Sequence, residues 1–283
     1  MIPVEVILAP FHGGVRGDRV GQGPLHLLEL GLADRLAGAG ADVSARDLGE
    51  VGECEGEIGR SFEVKRRVAR AVAEAAGAGR FPVVLSGNCN ASVGTYAGLG
   101  SPQAELVWFD AHIDFDTPDE RTSGYFDGMG VSTLTGRCWH ALAATVPGFR
   151  PLAVERLVYC GIRDFEPGQL ECVAAHGIRA VRGGADRPPS FAEALDAELR
   201  HDAGPVLIHL DVDCLDTAEG HANEYASTGG LSGAELVACL ERVTAKARPL
   251  GLTVASYDPG QPGADRIGEI AVEAVGCVMR SLR

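Results

Sequence analysis

The segment WFDAHIDFD (108–116) begins as an apolar run and ends in alternating side chains of the kinds that bind metals. In an extended chain, residues i, i+2 and i+4 point to the same side. Asp110, His112 and Asp114 are therefore expected to converge just beyond the end of a strand.

A second segment, IHLDVDCLD (208–216), repeats this design a hundred residues later and places Asp211 and Asp213 at another strand end. Four carboxylates in one pocket repel one another strongly unless a cation holds them together. Mostly oxygen ligands with one nitrogen favour a divalent ion such as Mn²⁺ over a structural zinc. The two segments therefore predict a metal centre, and we interpret the protein as a two-metal hydrolase.

Short apolar runs alternate with longer amphipathic stretches along the whole chain. Strands are predicted near 3–9, 42–47, 82–86, 105–110, 156–161, 178–182, 205–211 and 251–257. Helices are predicted near 24–38, 61–78, 90–98, 132–145, 168–176, 190–202, 232–247 and 264–282. Near-continuous apolar strands that alternate with helices indicate an α/β fold, with a parallel sheet covered on both faces. No low-complexity linker divides the chain, so residues 1–283 are expected to form one three-layer domain.

Two local patterns add to this interpretation. Ser232, followed three residues later by Glu235, predicts a capping box at the start of a helix. Ligands in open α/β sheets bind outside the carboxyl ends of the strands, which is where both acidic segments lie.

The Gly-rich loops 12–24, 86–92 and 122–130 match neither a Walker nor a dinucleotide-binding fingerprint, so a nucleotide cofactor is not expected.

The composition sets outer limits on function. The chain has 283 residues with 46% apolar content, which can bury a large core. A formal net charge of −14 argues against nucleic acid and anionic membranes as partners. The first residues, MIPVEVILAPF, predict a strand and not a signal peptide, so a cytoplasmic location is expected. The eight scattered cysteines contain no CxxC pair and are expected to be reduced, mostly as buried apolar residues.

Several segments together resemble the ureohydrolase superfamily, which includes arginase, agmatinase, formiminoglutamase and proclavaminate amidinohydrolase. DAHID (110–114) and HLDVDCLD (209–216) resemble its two metal signatures, and the opening segment 9–32 is similar to the arginase N-terminal segment. The segments 116–128 and 162–167 are similar to the arginase substrate loop and amine-binding segment. The resemblance implies a three-layer α/β/α fold with an eight-stranded parallel sheet and a binuclear manganese centre.

The resemblance also implies a role for each acidic residue. Asp110 and Asp211 would bridge two Mn²⁺ ions, while Asp114 would bind the first ion only. His112 and Asp213 would bind the second ion. Asp114 would in addition carry a proton to the departing amine, which makes it a catalytic residue.

The remaining superfamily ligand is a His in the motif GGDHS, and this chain has SGNCN (86–90) with Cys89 at the His position. Cys89 follows an apolar strand, so we expect it to face the same pocket as a metal ligand. Beside a dication the thiol is expected to lose its proton. A thiolate makes the ligand set softer, which leaves zinc and iron as rivals to manganese.

Three further departures bear on the substrate. Asp127 stands where arginases have a His thought to shuttle protons, so a group that titrates near neutrality is lost, although a buried Asp with a raised pKa could substitute. Ser256 replaces the Glu that binds a guanidinium. Asp116 replaces an Asn that reads the α-carboxylate, and its charge would repel that group.

Other substrate contacts are implied by matching positions. Arg121 and Ser123 could compensate for Asp116, because Arg grips a carboxylate in a bidentate manner. Asp164 and Glu166 match acidic residues that receive the α-amino group in arginases.

These departures resemble most the N-hydroxy-L-arginine hydrolases of D-cycloserine biosynthesis, which implies hydrolysis of N-hydroxy-L-arginine to hydroxyurea and L-ornithine. N-hydroxylation makes a guanidine less basic, so a carboxylate clamp becomes dispensable. One alternative is an arginase, agmatinase or guanidino-acid hydrolase; another, from a different class, is a non-catalytic regulator that binds metal or ligand. The deacetylase branch of this fold has different signature segments. The chain ends directly after its last helix, so a monomer is expected, with a small homo-oligomer as the alternative.

Overall fold

Eight apolar segments pair into one parallel sheet in the computed structural model, which describes residues 1–52, 56–120, 123–200 and 204–283. The strands are β1 (Ile2–Ala9), β2 (Phe11–His12), β3 (Val15–Arg16), β4 (Ala41–Asp47), β5 (Phe81–Ser86), β6 (Glu105–Phe109), β7 (Leu157–Ile162), β8 (Arg179–Arg182), β9 (Val206–Asp211) and β10 (Pro249–Ala255). The large sheet has the order β4-β1-β5-β10-β9-β6-β7-β8, and β2 and β3 form a separate hairpin. The eight-stranded parallel sheet expected from the resemblance is thereby confirmed.

Helices cover both faces of this sheet. They are α1 (Gly23–Glu29), α2 (Leu32–Gly38), α3 (Gly56–Gly77), α4 (Ser92–Gly98), α5 (Gly130–Thr135), α6 (His140–Ala143), α7 (Pro167–Ala175), α8 (Phe191–Glu198), α9 (Gly233–Lys246) and α10 (Ala264–Ser281). Successive strand residues point to opposite faces, so Val6 belongs to the core cluster that includes residues of α10, whereas Ile7 belongs to the cluster that includes residues of α3. The capping box predicted at Ser232 is present, with reciprocal bonds to Glu235.

Two helices predicted from the sequence as continuous are each broken in the structure. The segment 24–38 forms α1 and α2, because Gly31 takes a φ of +86° between them. The segment 132–145 forms α5 and α6, and Gly136 ends α5 with a φ of +76°. The left-handed conformation interrupts the helical hydrogen bonds, and glycine adopts it without steric cost. The helical spacing of apolar residues continues across both glycines, so the sequence pattern predicts one helix in each segment.

Seven cysteines in the described part of the chain are free thiols, as expected, whereas Cys54 lies outside it. None of the described helices is both long and apolar enough to cross a membrane.

Candidate metal centre

Four neighbouring strands at the centre of the sheet bring candidate side chains together at their carboxyl ends, where a cavity opens. Cys89 lies in the turn after β5, Ser256 directly follows β10, Asp211 ends β9, and Asp110 directly follows β6. The cavity has a volume of about 130 Å³, and its wall includes Cys89, Asp211 and Ser256. Parallel strands place their carboxyl ends on one edge of the sheet, which explains why residues from distant segments meet here.

Asp110, His112 and Asp213 form the first group of potential metal ligands. Nδ1 of His112 lies 3.3 Å from Oδ1 of Asp110 and 3.3 Å from Oδ2 of Asp213. Backbone amides fix both carboxylates: the amide of His112 donates to Asp110 at 2.7 Å, and that of Ala111 donates to Asp213 at 3.1 Å. The loop after β6 therefore holds two side chains from separate strands around one imidazole.

A second group contains Cys89, Asp110, His209 and Asp211, each of which offers one ligand atom within 4.8 Å of the others. Sγ of Cys89 donates to Oδ2 of Asp211 at 2.6 Å and lies 3.1 Å from Oγ of Ser256. Asp110 belongs to both groups, so the two clusters share a carboxylate.

Asp114 lines the same cavity but belongs to neither group. The extended alternation predicted from 110 to 114 does not persist, because β6 ends at Phe109 and Asp114 has a φ of +51°. Its carbonyl accepts the amide of Val131 at 2.9 Å, which ties the loop to α5. The carboxylate of Asp114 thus reaches the cavity from a turn and not from a continued strand.

The carboxylates of the cluster are electrostatically strained without a cation. Burial and the charge of Asp213 raise the pKa of Asp110 to about 6. Burial and neighbouring carboxylates also raise the pKa of Asp211 and of Asp114 well above the usual range. Burial opposes protonation of His112, but the charges of Asp213 and Asp110 and the hydrogen bonds to them together outweigh burial and raise the pKa of His112.

A pair of divalent ions fits this donor set. Cations would relieve the repulsion among buried carboxylates, and the donors comprise oxygens, imidazole nitrogens and one thiol. Burial and the nearby charges of Asp211 and Asp127 raise the pKa of the Cys89 thiol. A thiolate at this position therefore requires a cation beside it.

Asp127 holds the turn that carries Cys89. Its Oδ2 accepts Nδ2 of Asn88 at 2.7 Å and the amide of Cys89 at 3.2 Å, while its Oδ1 accepts the amide of Asn90 at 2.9 Å. Burial raises the pKa of Asp127 although these bonds oppose the shift. Both oxygens are engaged, which favours a role in positioning Cys89.

Only some of the residues expected to bind the substrate lie at the cavity wall. Ser256 and Asp116 line the cavity, as does Asp164. Both oxygens of Asp116 accept Nε2 of Gln169 at 2.8 Å, so its charge is engaged by a neutral donor. Oδ2 of Asp164 lies 3.8 Å from Nε2 of His112.

Other expected contacts lie away from the cavity wall. Ser123 is exposed, and its Oγ accepts the amide of Tyr125 at 3.3 Å. Glu166 is exposed and caps the start of α7 in a capping box with Gln169. Arg121 lies outside the described residues.

The structure also places residues at the site that were not predicted from the sequence. Asn223 donates to Oδ2 of Asp213 at 3.0 Å and to the carbonyl of Ser256 at 3.2 Å. It lies in a loop without periodicity, so no sequence signal marked it. His209 could have been found, because the same i, i+2 rule applied backwards from Asp211 reaches it. Arg19 is the one Arg or Lys among the described residues of the cavity wall, where it pairs with Glu224 at 2.7 Å.

Comparison with known proteins extends over nearly the whole chain. The model of the Arginase family matches residues 3–280. The arginase of Eremothecium gossypii is 32% identical over 279 residues, covering 90% of this chain and 69% of that protein. Arginase-1 of Mus musculus is 30% identical over 280 residues, covering 90% and 84%. The solved structure of arginase from Bacillus caldovelox has a TM-score of 0.87 at 24% identity, covering 99% of this chain and 98% of that one.

Proposed function

The chain belongs to the arginase family, and from that premise we propose that it hydrolyses N-hydroxy-L-arginine to hydroxyurea and L-ornithine with two Mn²⁺ ions. The broader activity follows from the family, whose members are metal-dependent ureohydrolases that cleave guanidino C–N bonds. The substrate, the identity of the metal and a place in D-cycloserine biosynthesis are the proposed part.

One observation supports this substrate above the others. The position beside Cys89 holds Ser256, whose hydroxyl lies 3.1 Å from Sγ of Cys89, where the arginase pattern has a Glu that binds a guanidinium. A hydroxyl does not balance the charge of a guanidinium cation, whereas it can hydrogen-bond to a neutral group. N-hydroxylation lowers the basicity of a guanidine, so a neutral N-hydroxyguanidine suits this cavity better than the cation of L-arginine.

The proposed metal ligands are Cys89, Asp110, His112, Asp114, Asp211 and Asp213. When bound, a pair of divalent ions lowers the pKa of a water molecule toward neutrality and stabilises negative charge that develops on the substrate. Asp110, which both ligand groups share, would hold both ions. Asp114 faces the same cavity, where it can pass a proton to the departing amine.

The amino-acid end of the substrate is assigned to the outer part of the cavity. Asp164 lines the wall beyond His112 and offers a carboxylate to an α-amino group. Arg19 pairs with Glu224, and we assign it to the α-carboxylate of the substrate, which would replace Glu224 as its partner. Ser123 and Arg121 remain part of the proposal as contacts of the α-carboxylate, with Arg121 lying outside the described residues. We also propose a monomeric, cytoplasmic protein, and light scattering during gel filtration measures the first of these properties.

Product analysis tests the proposal directly. The protein loaded with Mn²⁺ is incubated with N-hydroxy-L-arginine, L-arginine and agmatine in parallel, and hydroxyurea, urea and ornithine are quantified. The expected result is hydroxyurea and ornithine from the first compound at a kcat/KM at least about tenfold above that for L-arginine, a difference of about 1.4 kcal/mol in the barrier. A higher kcat/KM for L-arginine or agmatine would identify an arginase or an agmatinase. The absence of metal-stimulated turnover with all three compounds would leave the non-catalytic alternative.

A further inference from the structure

His209 lies one layer beneath the carboxylates of the cluster. It precedes Asp211 by two residues on β9, so both side chains point to the same face of the sheet. It stands opposite Trp108 on β6, and the two rings stack with their centroids 3.6 Å apart. His209 is fully buried, so the stack fixes the plane of the imidazole.

The two ring nitrogens of His209 have different environments. Nδ1 lies 2.7 Å from Oγ of Ser92, the first residue of α4. Nε2 is buried without a hydrogen-bond partner among the described residues. A buried polar atom without a partner is rare in native proteins and calls for an explanation.

The position of Nε2 supplies that explanation. One ring nitrogen of His209 lies within 4.8 Å of ligand atoms from Cys89, Asp110 and Asp211. Ligands about 2.0 to 2.3 Å from one ion lie at most about 4.6 Å apart, which is close to this spacing. Since Nδ1 is engaged by Ser92, Nε2 is the nitrogen that remains available.

We propose that Nε2 of His209 is a ligand of the metal ion held by Cys89 and Asp211. This inference rests on the proposed binding of two divalent ions at the cluster. His209 then supplies, from β9, the nitrogen that the segment 86–90 lacks because Cys89 replaces the superfamily His.

The hydrogen bond to Ser92 suits such a ligand. A metal-bound His normally donates its second ring N–H to a neighbouring acceptor, which fixes the tautomer and the ring orientation. Donation from Nδ1 to Oγ of Ser92 leaves the lone pair of Nε2 free for the ion. The resulting set of one thiolate, one imidazole and the carboxylates of Asp110, Asp114 and Asp211 suits an ion of intermediate softness better than Mg²⁺ or Ca²⁺.

A crystal structure of the protein grown with Mn²⁺ provides the direct test. The ions are located by anomalous scattering at the manganese edge, and the distance from Nε2 of His209 to the nearer ion is measured. The expected distance is about 2.0 to 2.4 Å, the range of metal–nitrogen bonds. An ion bound to Cys89 and Asp211 with Nε2 more than about 3 Å away would overturn the inference.

Binding of Mn²⁺ in solution provides a second test. The wild-type protein is expected to bind two equivalents, and His209→Asn is expected to bind one tightly and the other at least about tenfold more weakly. Ser92→Ala retains the imidazole but removes its partner, and is expected to weaken the same equivalent. His221→Asn changes an exposed histidine and serves as the matched control. Two equivalents with unchanged affinities in both His209→Asn and Ser92→Ala would refute the role.

The crystal distance and Ser92→Ala decide the question if circular dichroism shows that His209→Asn is unfolded. Both measurements use metal alone and no substrate. A protein that holds two ions through these residues but releases neither urea nor hydroxyurea would contradict only the proposed activity, whereas an ion bound without His209 would contradict only this inference.

Discussion

The indole Nε1 of Trp108 donates a hydrogen bond of 2.8 Å to Oδ2 of Asp110. Trp108 is fully buried on β6, and Asp110 follows that strand on the same face. The strand β6 thus supplies the indole N–H that orients Asp110, the carboxylate that both ligand groups share. Loss of an outer donor of this kind commonly weakens metal binding even though every ligand remains.

Trp108→Phe is therefore expected to weaken metal binding while the ring still packs on His209. The loss of the N–H donor should lower the affinity for Mn²⁺ by about 10- to 100-fold, measured by competition with a chelator. Trp139→Phe is the control, because Nε1 of Trp139 is buried without a partner among the described residues. Equal affinities in the two variants would show that the indole donor does not position Asp110.

Asp114→Asn is expected to reduce both metal content and turnover. The change removes one negative charge from the cavity wall and one proposed ligand, and metal content is measured by atomic emission after desalting. Asp119→Asn alters an exposed carboxylate in the same loop and should change neither quantity. Full manganese content with full activity in Asp114→Asn would refute both roles assigned to this residue.

Cys89→His should preserve two metal equivalents and move substrate preference toward L-arginine. The substitution restores an imidazole at the position beside Asp211, in place of a thiol whose pKa is raised by burial and by neighbouring carboxylates. We expect kcat/KM for L-arginine relative to N-hydroxy-L-arginine to rise about tenfold, or about 1.4 kcal/mol. Cys172→His places the same side chain away from the cavity wall as a control. Unaltered metal content and preference in Cys89→His would make Cys89 a packing residue.

Asp127→Asn distinguishes two possible roles of Asp127: an anchor, which positions the turn of Cys89 through hydrogen bonds, and a proton shuttle. The amide group cannot accept all the hydrogen bonds from Asn88, Cys89 and Asn90, so a buried donor loses its partner at a cost of about 1–3 kcal/mol. An anchor predicts a lower melting temperature and weaker metal binding, with the shape of the kcat–pH profile unchanged. Loss of one limb of that profile with normal stability would instead identify a proton shuttle.

Removal of the metal should make stability depend on pH in a defined direction. Burial and repulsion raise the pKa of Asp110 to about 6 and also raise that of Asp211 and Asp114. The folded state therefore binds more protons than the unfolded state, and stability falls as pH rises from about 4 through about 6. The raised pKa of His112 acts in the same direction, because its contribution is lost as pH rises through the folded value. The lowered pKa of buried His209 acts in the opposite direction, but it is one group against these four.

Thermal unfolding between about pH 5 and pH 7.5 measures this effect, since unperturbed carboxylates are already ionised in that range. The melting temperature of the chelator-treated protein should fall across the range. With Mn²⁺ present it should be higher at pH 7.5, because the ions neutralise the ionised carboxylates and bind only the folded state. A melting temperature of the chelated protein that rises with pH would contradict the assignment.

The sequence predicted the sheet well because each strand is a local apolar run, and all eight strands agree with the structure to within about two residues at either end. It failed at Gly31 and Gly136, where the backbone turns while the hydrophobic period continues. For the cluster, the sequence identified Asp110, Asp211 and Asp213 through their spacing beside apolar runs. Cys89 was predicted to face the same pocket because it follows an apolar strand and stands at the His position of the superfamily motif.

The sequence by itself determined which side chains stand at strand tips, because alternation and strand length are properties of neighbouring residues. Only the tertiary structure decided which tips meet: the strand order places β5, β10, β9 and β6 side by side. It also decided that Asp127 holds the turn of Cys89 and that Asn223 joins Asp213 to Ser256. Those contacts join segments 10 to 38 residues apart, and only the packing of the folded sheet brings such groups within hydrogen-bonding distance.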